Sequence, residues 1–464
     1  MSLDAIKSIR QFIKDEAERF GAKTSVEYNK PYVERNNTGA EALEDNGAYF
    51  GFIHPAEDIS GPFHDFSLTI FPSADDKAWL VCLGIGSMGF KNDFELASFP
   101  GVRRLFSRFI DEEGYCKSNF SDIETSLPKS ITQSEKLQHL KSSIQTYTKV
   151  LPVCQIVDDP ESSKGRSIIS AFVAGYAKIR NWPSNKSQRK AIDDSIKPFM
   201  KDSITDEEVA ILQLLEERKY IVLQGPPGSG KTRLAKMVAE KIKADVFFTQ
   251  FHAETSYSDF IYGLRPKVSG NEIGYDEVIG PLPSAIQNSI NSGKKTILII
   301  DEINRANLSN VLGPSFYLFE YRQDLSNVNI PITPSLTLQK LPENFYVIAT
   351  MNTADRSLAV VDFALRRRFA WYTLKPRAIN SKLFFSDDFN NMSSIFEWYA
   401  SSNELPLQPG QGYFMSNDEA EMKRRVRYEL YPLIQEYLRE GLMRNAKEEF
   451  NDYFLSRIGL SIFE

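Results

Sequence analysis

The chain has 464 residues, of which 42% are hydrophobic and 25% charged, and its formal net charge is -6 at pH 7. This composition is ordinary for globular proteins, so it excludes fibrous, collagen-like and wholly disordered chains. At ~150 residues per domain, the length predicts roughly two to four domains. The acidic net charge argues against a generally basic nucleic-acid-binding surface but leaves local basic patches possible.

The N-terminal segment is predicted to be an amphipathic helix of the fold rather than a secretory signal peptide, because apolar residues recur at helical spacing among charges. These residues are Leu3, Ile6, Ile9 and Ile13. The sequence contains no run of ~18 apolar residues, so we expect no membrane-spanning segment. Its three cysteines form no CxxC pair, which favours a reducing, cytoplasmic location.

Residues 1–155 predict a separate small α+β domain. Short β-like runs occur at 48–53, 66–71 and 78–83, and Pro, Gly and Asp separate them. Five aromatic residues in this region are either walls of a base-binding cage or part of the core, and their strand spacing favours the core. They are Phe50, Phe52, Phe63, Phe66 and Trp79.

Residues 156–202 are predicted to be a basic helical connector, with a helix over 168–180 and a loop over 181–190. From 203 to 376 strands at 220–223, 245–249, 296–300 and 345–350 alternate with helices, which predicts a parallel sheet with helices on both faces. Residues 377–464 are predicted to form a helical lid, with helices at 392–399, 419–440 and 446–463.

A phosphate-binding loop is predicted between the first of these strands and the following helix. The string GPPGSGKT fits GxxxxGK[ST] in the strand-to-helix context that the motif requires. Glycines let backbone N–H groups surround phosphate oxygens, Lys231 should contact the β- and γ-phosphates, and Thr232 should ligate Mg²⁺. The predicted nucleotide-binding residues are Gly225, Pro226, Pro227, Gly228, Ser229, Gly230, Lys231 and Thr232.

Asp301 and Glu302 end the apolar strand predicted in the string TILIIDE. Alone they could be two solvated acids, but downstream of a P-loop they predict a Mg²⁺-binding aspartate and a water-polarising glutamate. Asn352 follows the next apolar strand, where a polar side chain can orient water or the γ-phosphate. Asp355 and Arg356 follow it closely and could brace the site.

Three consecutive arginines, Arg366, Arg367 and Arg368, precede another apolar strand. A charge run is usually a solvated face. In a P-loop domain, an arginine offered to the nucleotide of a neighbouring subunit can instead neutralise transition-state charge, which requires an oligomer.

In this order the motifs resemble an AAA+ core with a helical lid. The strings QGPPGSGKT, IIDEINRANLSNVLG, MNTADRSLAVVDFALRRRF and GQGYFMSN resemble McrB, the motor subunit of McrBC-type modification-dependent restriction systems, over about residues 203–464. The segment 1–155 does not resemble the methylcytosine-reading domain of that family.

The resemblance implies a nucleotide-dependent homo-hexamer that prefers GTP over ATP, uses Mg²⁺, and powers cleavage by a separate McrC-like nuclease subunit. It implies catalytic roles for Asp301, Glu302, Asn352, Asp355 and Arg356, and it places Asn304 near the nucleotide. It also implies that Arg367 or Arg368 is the arginine finger, the side chain that acts on the nucleotide of the neighbouring subunit. The N-terminal domain would then recognise the target, modified or foreign DNA. Arg424, Arg425 and Arg427 are candidates for a lid arginine.

Two other functions remain open. A MoxR-like AAA+ chaperone would share the core chemistry but prefer ATP and need no DNA. A scaffold that only binds nucleotide is disfavoured, because it has no use for the water-activating acid Glu302. We find no recognisable nuclease motif, so the chain itself is not expected to cut DNA.

Overall fold

The computed structural model describes residues 3–24, 27–73, 77–200, 207–269, 272–320, 328–354 and 363–463. The chain divides into two compact units, Met1–Ser203 and Ile204–Glu464. Within the described residues, no helix is both long and apolar enough to cross a membrane.

The first unit is built on a six-stranded antiparallel sheet with the order β1-β2-β3-β4-β6-β5. Its strands are β1 (Val33–Asn37), β2 (Tyr49–Ile53), β3 (Ser67–Phe71), β4 (Trp79–Gly84), β5 (Gly114–Cys116) and β6 (Val153–Val157). Its helices are α1 (Leu3–Arg19), α2 (Ala40–Glu44), α3 (Phe94–Ser98), α4 (Pro100–Ser107), α5 (Lys129–Thr132), α6 (Lys141–Tyr147), α7 (Ser163–Ile179) and α8 (Lys186–Ile196).

Helix α7 forms the centre of the first unit rather than a connector. It packs on α1, α4, α8, β3 and β4, and nearly every residue from Ile168 to Ile179 is buried, as expected of a helix that is apolar all round. Strand β6 also crosses the predicted boundary at residue 155. The predicted domain boundary at residue 155 and the predicted connector over residues 156–202 are therefore wrong, because the first compact unit extends to Ser203. The basic residues that suggested a linker flank a buried apolar segment.

The predicted loop over residues 181–190 is also wrong in its second half, because α8 begins at Lys186. Asn185 caps this helix, and its side chain accepts a hydrogen bond from the Gln188 amide at 3.0 Å. An Asn at the N-cap satisfies an amide that the helix itself leaves unpaired.

Of the five aromatic residues weighed as a cage, four belong to the core. Phe50, Phe52, Phe66 and Trp79 are buried, and only Phe63 is 48% exposed. The strand spacing that favoured the core interpretation placed these four correctly.

The second unit contains a five-stranded parallel sheet with the order β15-β7-β14-β11-β8. Its strands, in chain order and including two hairpins, are β7 (Tyr220–Gly225), β8 (Asp245–Gln250), β9 (Tyr262–Ser269), β10 (Glu272–Ile279), β11 (Thr296–Asp301), β12 (Ile330–Thr333), β13 (Leu336–Leu338), β14 (Phe345–Asn352) and β15 (Ala370–Thr373). Its helices up to β15 are α9 (Glu207–Arg218), α10 (Lys231–Lys241), α11 (Tyr257–Phe260), α12 (Pro281–Ser292), α13 (Leu308–Leu312) and α14 (Phe363–Arg368).

Helices cover both faces of this sheet. Neighbouring residues of each central strand belong to two different hydrophobic cores, one on each face of the sheet. Val222 and Leu298 belong to one core, whereas Ile221 and Ile297 belong to the other. Strands buried on both faces are the pattern of parallel sheets in α/β domains. The predicted P-loop α/β core is thereby confirmed. The hairpins β9–β10 and β12–β13 were not predicted.

The chain after β15 is helical, as predicted for the lid. Its helices are α15 (Ser386–Tyr399), α16 (Glu419–Arg425), α17 (Tyr431–Arg439) and α18 (Lys447–Ile458). They enclose a core of their own that includes Met392, Phe396, Ile434 and Phe450. A π-helical turn over Val426–Leu430 joins α16 to α17, where one continuous helix was predicted.

Candidate functional site

The P-loop connects β7 to α10 at the end of the sheet, next to β14. Gly228 and Gly230 adopt positive φ angles of 75° and 83°, a region that favours glycine over residues with a side chain. The buried hydroxyl of Ser229 has no hydrogen-bond partner among the described residues. A buried polar atom without a partner calls for a ligand or a water, and a phosphate oxygen fits this position.

Lys231 is buried at the start of α10 and points back into the loop. Its Nζ donates to the carbonyls of Gly225 at 3.0 Å and Pro226 at 2.9 Å, and to Asn352 Oδ1 at 2.5 Å. Burial lowers the pKa of Lys231 to about 8, although the nearby carboxylates of Glu302 and Asp301 counteract the effect. The ammonium therefore lies beside acceptors that a phosphate oxygen could replace.

Asp301 ends β11 directly beside the P-loop. Its Oδ1 accepts hydrogen bonds from Thr232 at 2.6 Å and from Thr350 at 2.7 Å. A carboxylate next to a hydroxyl supplies the hard oxygen ligands that Mg²⁺ prefers while leaving room for its waters. The residues present thus fit a Mg²⁺ ion. Thr350 was missed in the sequence, because its hydroxyl reaches Asp301 only through the pairing of β11 with β14.

Glu302 projects from a left-handed backbone position, with φ 58° and ψ 48°, which is uncommon for a residue with a side chain. Its amide donates to Thr350 Oγ1 at 3.1 Å. Its carboxylate accepts a hydrogen bond from the Asn352 side-chain amide and pairs with Arg305 Nε at 3.2 Å. This backbone turn aims the carboxylate at the space between the strand ends.

Asn304 is buried behind Asn352 and donates to its backbone carbonyl at 3.5 Å, whereas its own Oδ1 lacks a partner among the described residues. The structure therefore brings Lys231, Thr232, Asp301, Glu302 and Asn352 into one hydrogen-bonded cluster, with Asn304 beside it. Two predicted site residues, Asp355 and Arg356, lie outside the described residues.

The three arginines of α14 differ in their surroundings. Arg368 is 5% exposed in its side chain and pairs with Glu320 at 2.5 Å, whereas Arg367 is 62% exposed and lies 3.3 Å from the same carboxylate. Arg366 is exposed and lies over the Trp371 ring, 5.0 Å from its centroid. Most of the Arg367 side chain is therefore in solvent, whereas Arg368 is buried.

A loop of the helical lid touches the P-loop, and no role had been predicted for it. The amides of Gly410 and Gly412 donate to the carbonyls of Pro227 at 3.0 Å and Gly228 at 2.8 Å. The Gln411 side chain donates to the Ser229 carbonyl at 2.8 Å. The sequence signal was the GQG triplet, since two glycines allow backbone to approach backbone closely.

Of the lid arginines, Arg425 pairs with Glu429 at 2.8 Å and also donates to the Met415 carbonyl. Arg424 and Arg427 are exposed. A cavity of about 640 Å³ lies between the P-loop and the lid, and Gly228, Arg233, Met237, Arg377 and Gln411 are among its lining residues. Its volume is in the range of small-molecule sites.

Residues 220–369 match the family described as "AAA domain (dynein-related subfamily)". This segment holds the P-loop, the Asp301–Glu302 strand end, Asn352 and the arginine run, so the second unit contains an AAA+ P-loop domain.

The chain is 42% identical over 203 residues to the Type IV methyl-directed restriction enzyme EcoKMcrB subunit of Escherichia coli, covering 42% of this chain and 43% of the relative. It is 30% identical over 194 residues to the Type II restriction enzyme BsuMI component YdiS of Bacillus subtilis, covering 33% of this chain and 56% of that protein. Over part of its length the chain is therefore similar to components of two restriction enzymes. The chain spans about half the length of these relatives.

Among solved structures, the RuvB Holliday junction branch migration motor of Thermotoga maritima shares 18% identity, with a TM-score of 0.23, over 42% of this chain and 49% of that one. At this TM-score the likeness adds nothing to the assignment.

Proposed function

We propose that the chain hydrolyses nucleoside triphosphates. The hydrogen-bonded cluster of Lys231, Thr232, Asp301, Glu302 and Asn352 supports this proposal. Lys231 would bind the β- and γ-phosphates, and Thr232 and Asp301 would hold Mg²⁺. When bound, the ion neutralises charge on the phosphate oxygens. Glu302 would polarise the attacking water, and Asn352 would orient it.

We also propose catalytic roles for Asp355 and Arg356, which follow Asn352 closely in the sequence. Asn304 would support Asn352, through its contact with the Asn352 carbonyl. The cavity between the P-loop and the lid would hold the rest of the nucleotide, because it adjoins Gly228 and Ser229.

We further propose that nucleotide binding assembles the chain into a homo-hexameric ring. In such a ring Arg367, the exposed member of the buried–exposed pair, would act on the nucleotide of the neighbouring subunit. Arg368 would hold the helix in place. Assembly is testable by mass photometry with GTP and Mg²⁺: the wild type should form a hexamer and Lys231→Ala should not. A Lys231→Ala hexamer with nucleotide present would contradict the proposal.

The biological role we propose is that of a cytoplasmic, GTP-preferring motor of a restriction system. The similarity to the EcoKMcrB subunit and to the BsuMI component YdiS supports it. A separate McrC-like nuclease subunit would cut the DNA, and the first unit, Met1–Ser203, would recognise modified or foreign DNA.

The test is phosphate release by the purified chain with GTP and with ATP, in the presence and absence of a McrC-like nuclease subunit. We expect faster release with GTP and stimulation by the partner. An ATP preference without a partner effect would reject the restriction motor in favour of an ATP-dependent remodelling chaperone.

A further inference from the structure

One carboxylate, that of Glu320, holds two of the three consecutive arginines. Its Oε2 lies 2.5 Å from Arg368 and its Oε1 lies 3.3 Å from Arg367. The Glu320 side chain is itself only 14% exposed. No sequence motif marks this residue, which follows a 3₁₀ helix over Gly313–Phe319.

Arg368 is fixed on more than one side. Its guanidinium lies 4.0 Å above the Phe316 ring centroid, a favourable position for a cation over an aromatic face. The neighbours of the ion pair in sequence, Phe319 and Phe369, stack with centroids 5.5 Å apart. The Glu320 segment and the arginine helix are thus joined by an aromatic pair and an ion pair side by side.

Arg367 is held differently, because Glu320 is the carboxylate that restrains it while most of its side chain stays in solvent. Exposed ion pairs usually cost side-chain entropy that cancels much of the attraction. Here Arg368 already fixes the carboxylate, so that cost is reduced. Without the carboxylate, two adjacent guanidinium groups would repel each other and Arg367 would lose its anchored position.

We infer that Glu320 is a positioning residue for Arg367, aiming this arginine at the nucleotide of the neighbouring subunit. The inference rests on the proposed ring and on proposed hydrolysis in it. The effect of Glu320 is therefore exerted in trans: it serves the active site of the next subunit rather than that of its own chain.

The first test measures steady-state hydrolysis by the full chain with Glu320→Gln, which keeps the size of the side chain and removes its charge. We expect kcat to fall ~10–100-fold, since a small misplacement of a catalytic group can cost that much, while nucleotide affinity stays unchanged. The matched control is Glu343→Gln, which removes an exposed carboxylate paired with Lys219 and should have no effect. An unchanged kcat for Glu320→Gln would overturn the inference.

Because Arg368 is buried, Glu320→Gln could also weaken folding, and Glu320→Asp serves as the second variant. Aspartate keeps the charge but is one methylene too short to hold both arginines. We expect it to keep the wild-type melting temperature more closely and still to lower kcat. If Glu320→Gln does not fold and Glu320→Asp folds with the wild-type kcat, then Glu320 has only a structural role and the inference is refuted.

The decisive test mixes subunits. Glu302→Gln subunits supply intact fingers but should not hydrolyse, whereas Glu320→Gln subunits have an intact catalytic centre but a misplaced finger. Mixed rings should regain hydrolysis, because some active sites then face a correctly held Arg367. Arg367→Ala mixed with Glu302→Gln is the reference for a lost finger. If hydrolysis recovers when Glu302→Gln is mixed with Arg367→Ala but not when it is mixed with Glu320→Gln, the inference is rejected.

Failure of the proposed hydrolysis and failure of the role of Glu320 give different results. Full hydrolysis by Glu302→Gln alone would remove the proposed function and the mixing test with it. Loss of hydrolysis in Glu302→Gln, combined with wild-type behaviour of Glu320→Gln, would leave the proposed function standing and reject only the role of Glu320.

Discussion

The contact between the lid loop and the P-loop predicts that Gly410→Ala weakens nucleotide binding. A Cβ at position 410 would lie 2.2 Å from the Gly228 carbonyl carbon and 2.3 Å from the Ser229 nitrogen. Both are backbone atoms that cannot rotate away, so the loop must move off the P-loop. The variant should still fold, because the lid has its own apolar core.

The magnitude is worked from the two backbone hydrogen bonds that the movement breaks, from the Gly410 and Gly412 amides to P-loop carbonyls, leaving aside the bond from the Gln411 side chain. Each contributes ~0.5–1.5 kcal/mol net, so their loss should cost about 1–3 kcal/mol of lid docking. If nucleotide binding requires the docked lid, the dissociation constant should rise ~5–150-fold.

The assay is titration of a fluorescent GTP analogue with Mg²⁺, with melting temperatures measured in parallel. Gly39→Ala is the matched control, because a Cβ there would meet nothing within 4 Å and should leave affinity unchanged. Wild-type affinity in folded Gly410→Ala would refute the coupling of lid docking to nucleotide binding.

Three further predictions follow from single contacts. Thr350→Val should lower kcat without changing nucleotide affinity in stopped-flow binding, because it removes the hydroxyl that holds Asp301 and the Glu302 amide; an unchanged kcat would contradict this role. Phe172→Ala should lower the free energy of unfolding in urea by ~3–5 kcal/mol, because the ring is fully buried. Phe63→Ala should lower it far less, and equal losses of stability would contradict the assigned core. Burial raises the pKa of Asp65, but hydrogen bonds from the Asn92 and Asp93 amides outweigh it and the pKa lies below its usual 3.8. The ionised carboxylate therefore stabilises the folded protein above pH ~4, and this stabilisation is lost as pH falls through the lowered pKa. Asp65→Asn should lower the free energy of unfolding in urea at pH 7 and lower it progressively less below pH ~4. A loss of stability that does not depend on pH would refute this.

The hydrogen-bonded cluster was largely predictable because most of its residues belong to short local motifs. Lys231 and Thr232 belong to one motif, and Asp301 and Glu302 lie side by side at the end of one strand. Parallel strands meet at their carboxyl ends, so the sequence also implied that Asn352 lies beside them. The residues that the sequence predicted were therefore those that belong to a local motif or that follow from one rule of sheet topology.

Residues that act across the fold could not be read in the same way. Thr350 and Glu320 have no motif of their own, and although Gly410 belongs to the GQG triplet, all three gain their place from a contact with a distant segment. The predicted connector failed for a related reason: its charge suggested a solvated linker, but charges at the ends of α7 do not show that the middle of the helix is buried.

The central claim is that the cluster around Lys231 and Glu302 hydrolyses nucleoside triphosphate with Glu302 polarising the water. The most direct measurement compares nucleotide affinity and phosphate release in the wild type and in Glu302→Gln. The account predicts that the variant binds nucleotide as tightly as the wild type and releases almost no phosphate. Phosphate release at the wild-type rate in Glu302→Gln would contradict it.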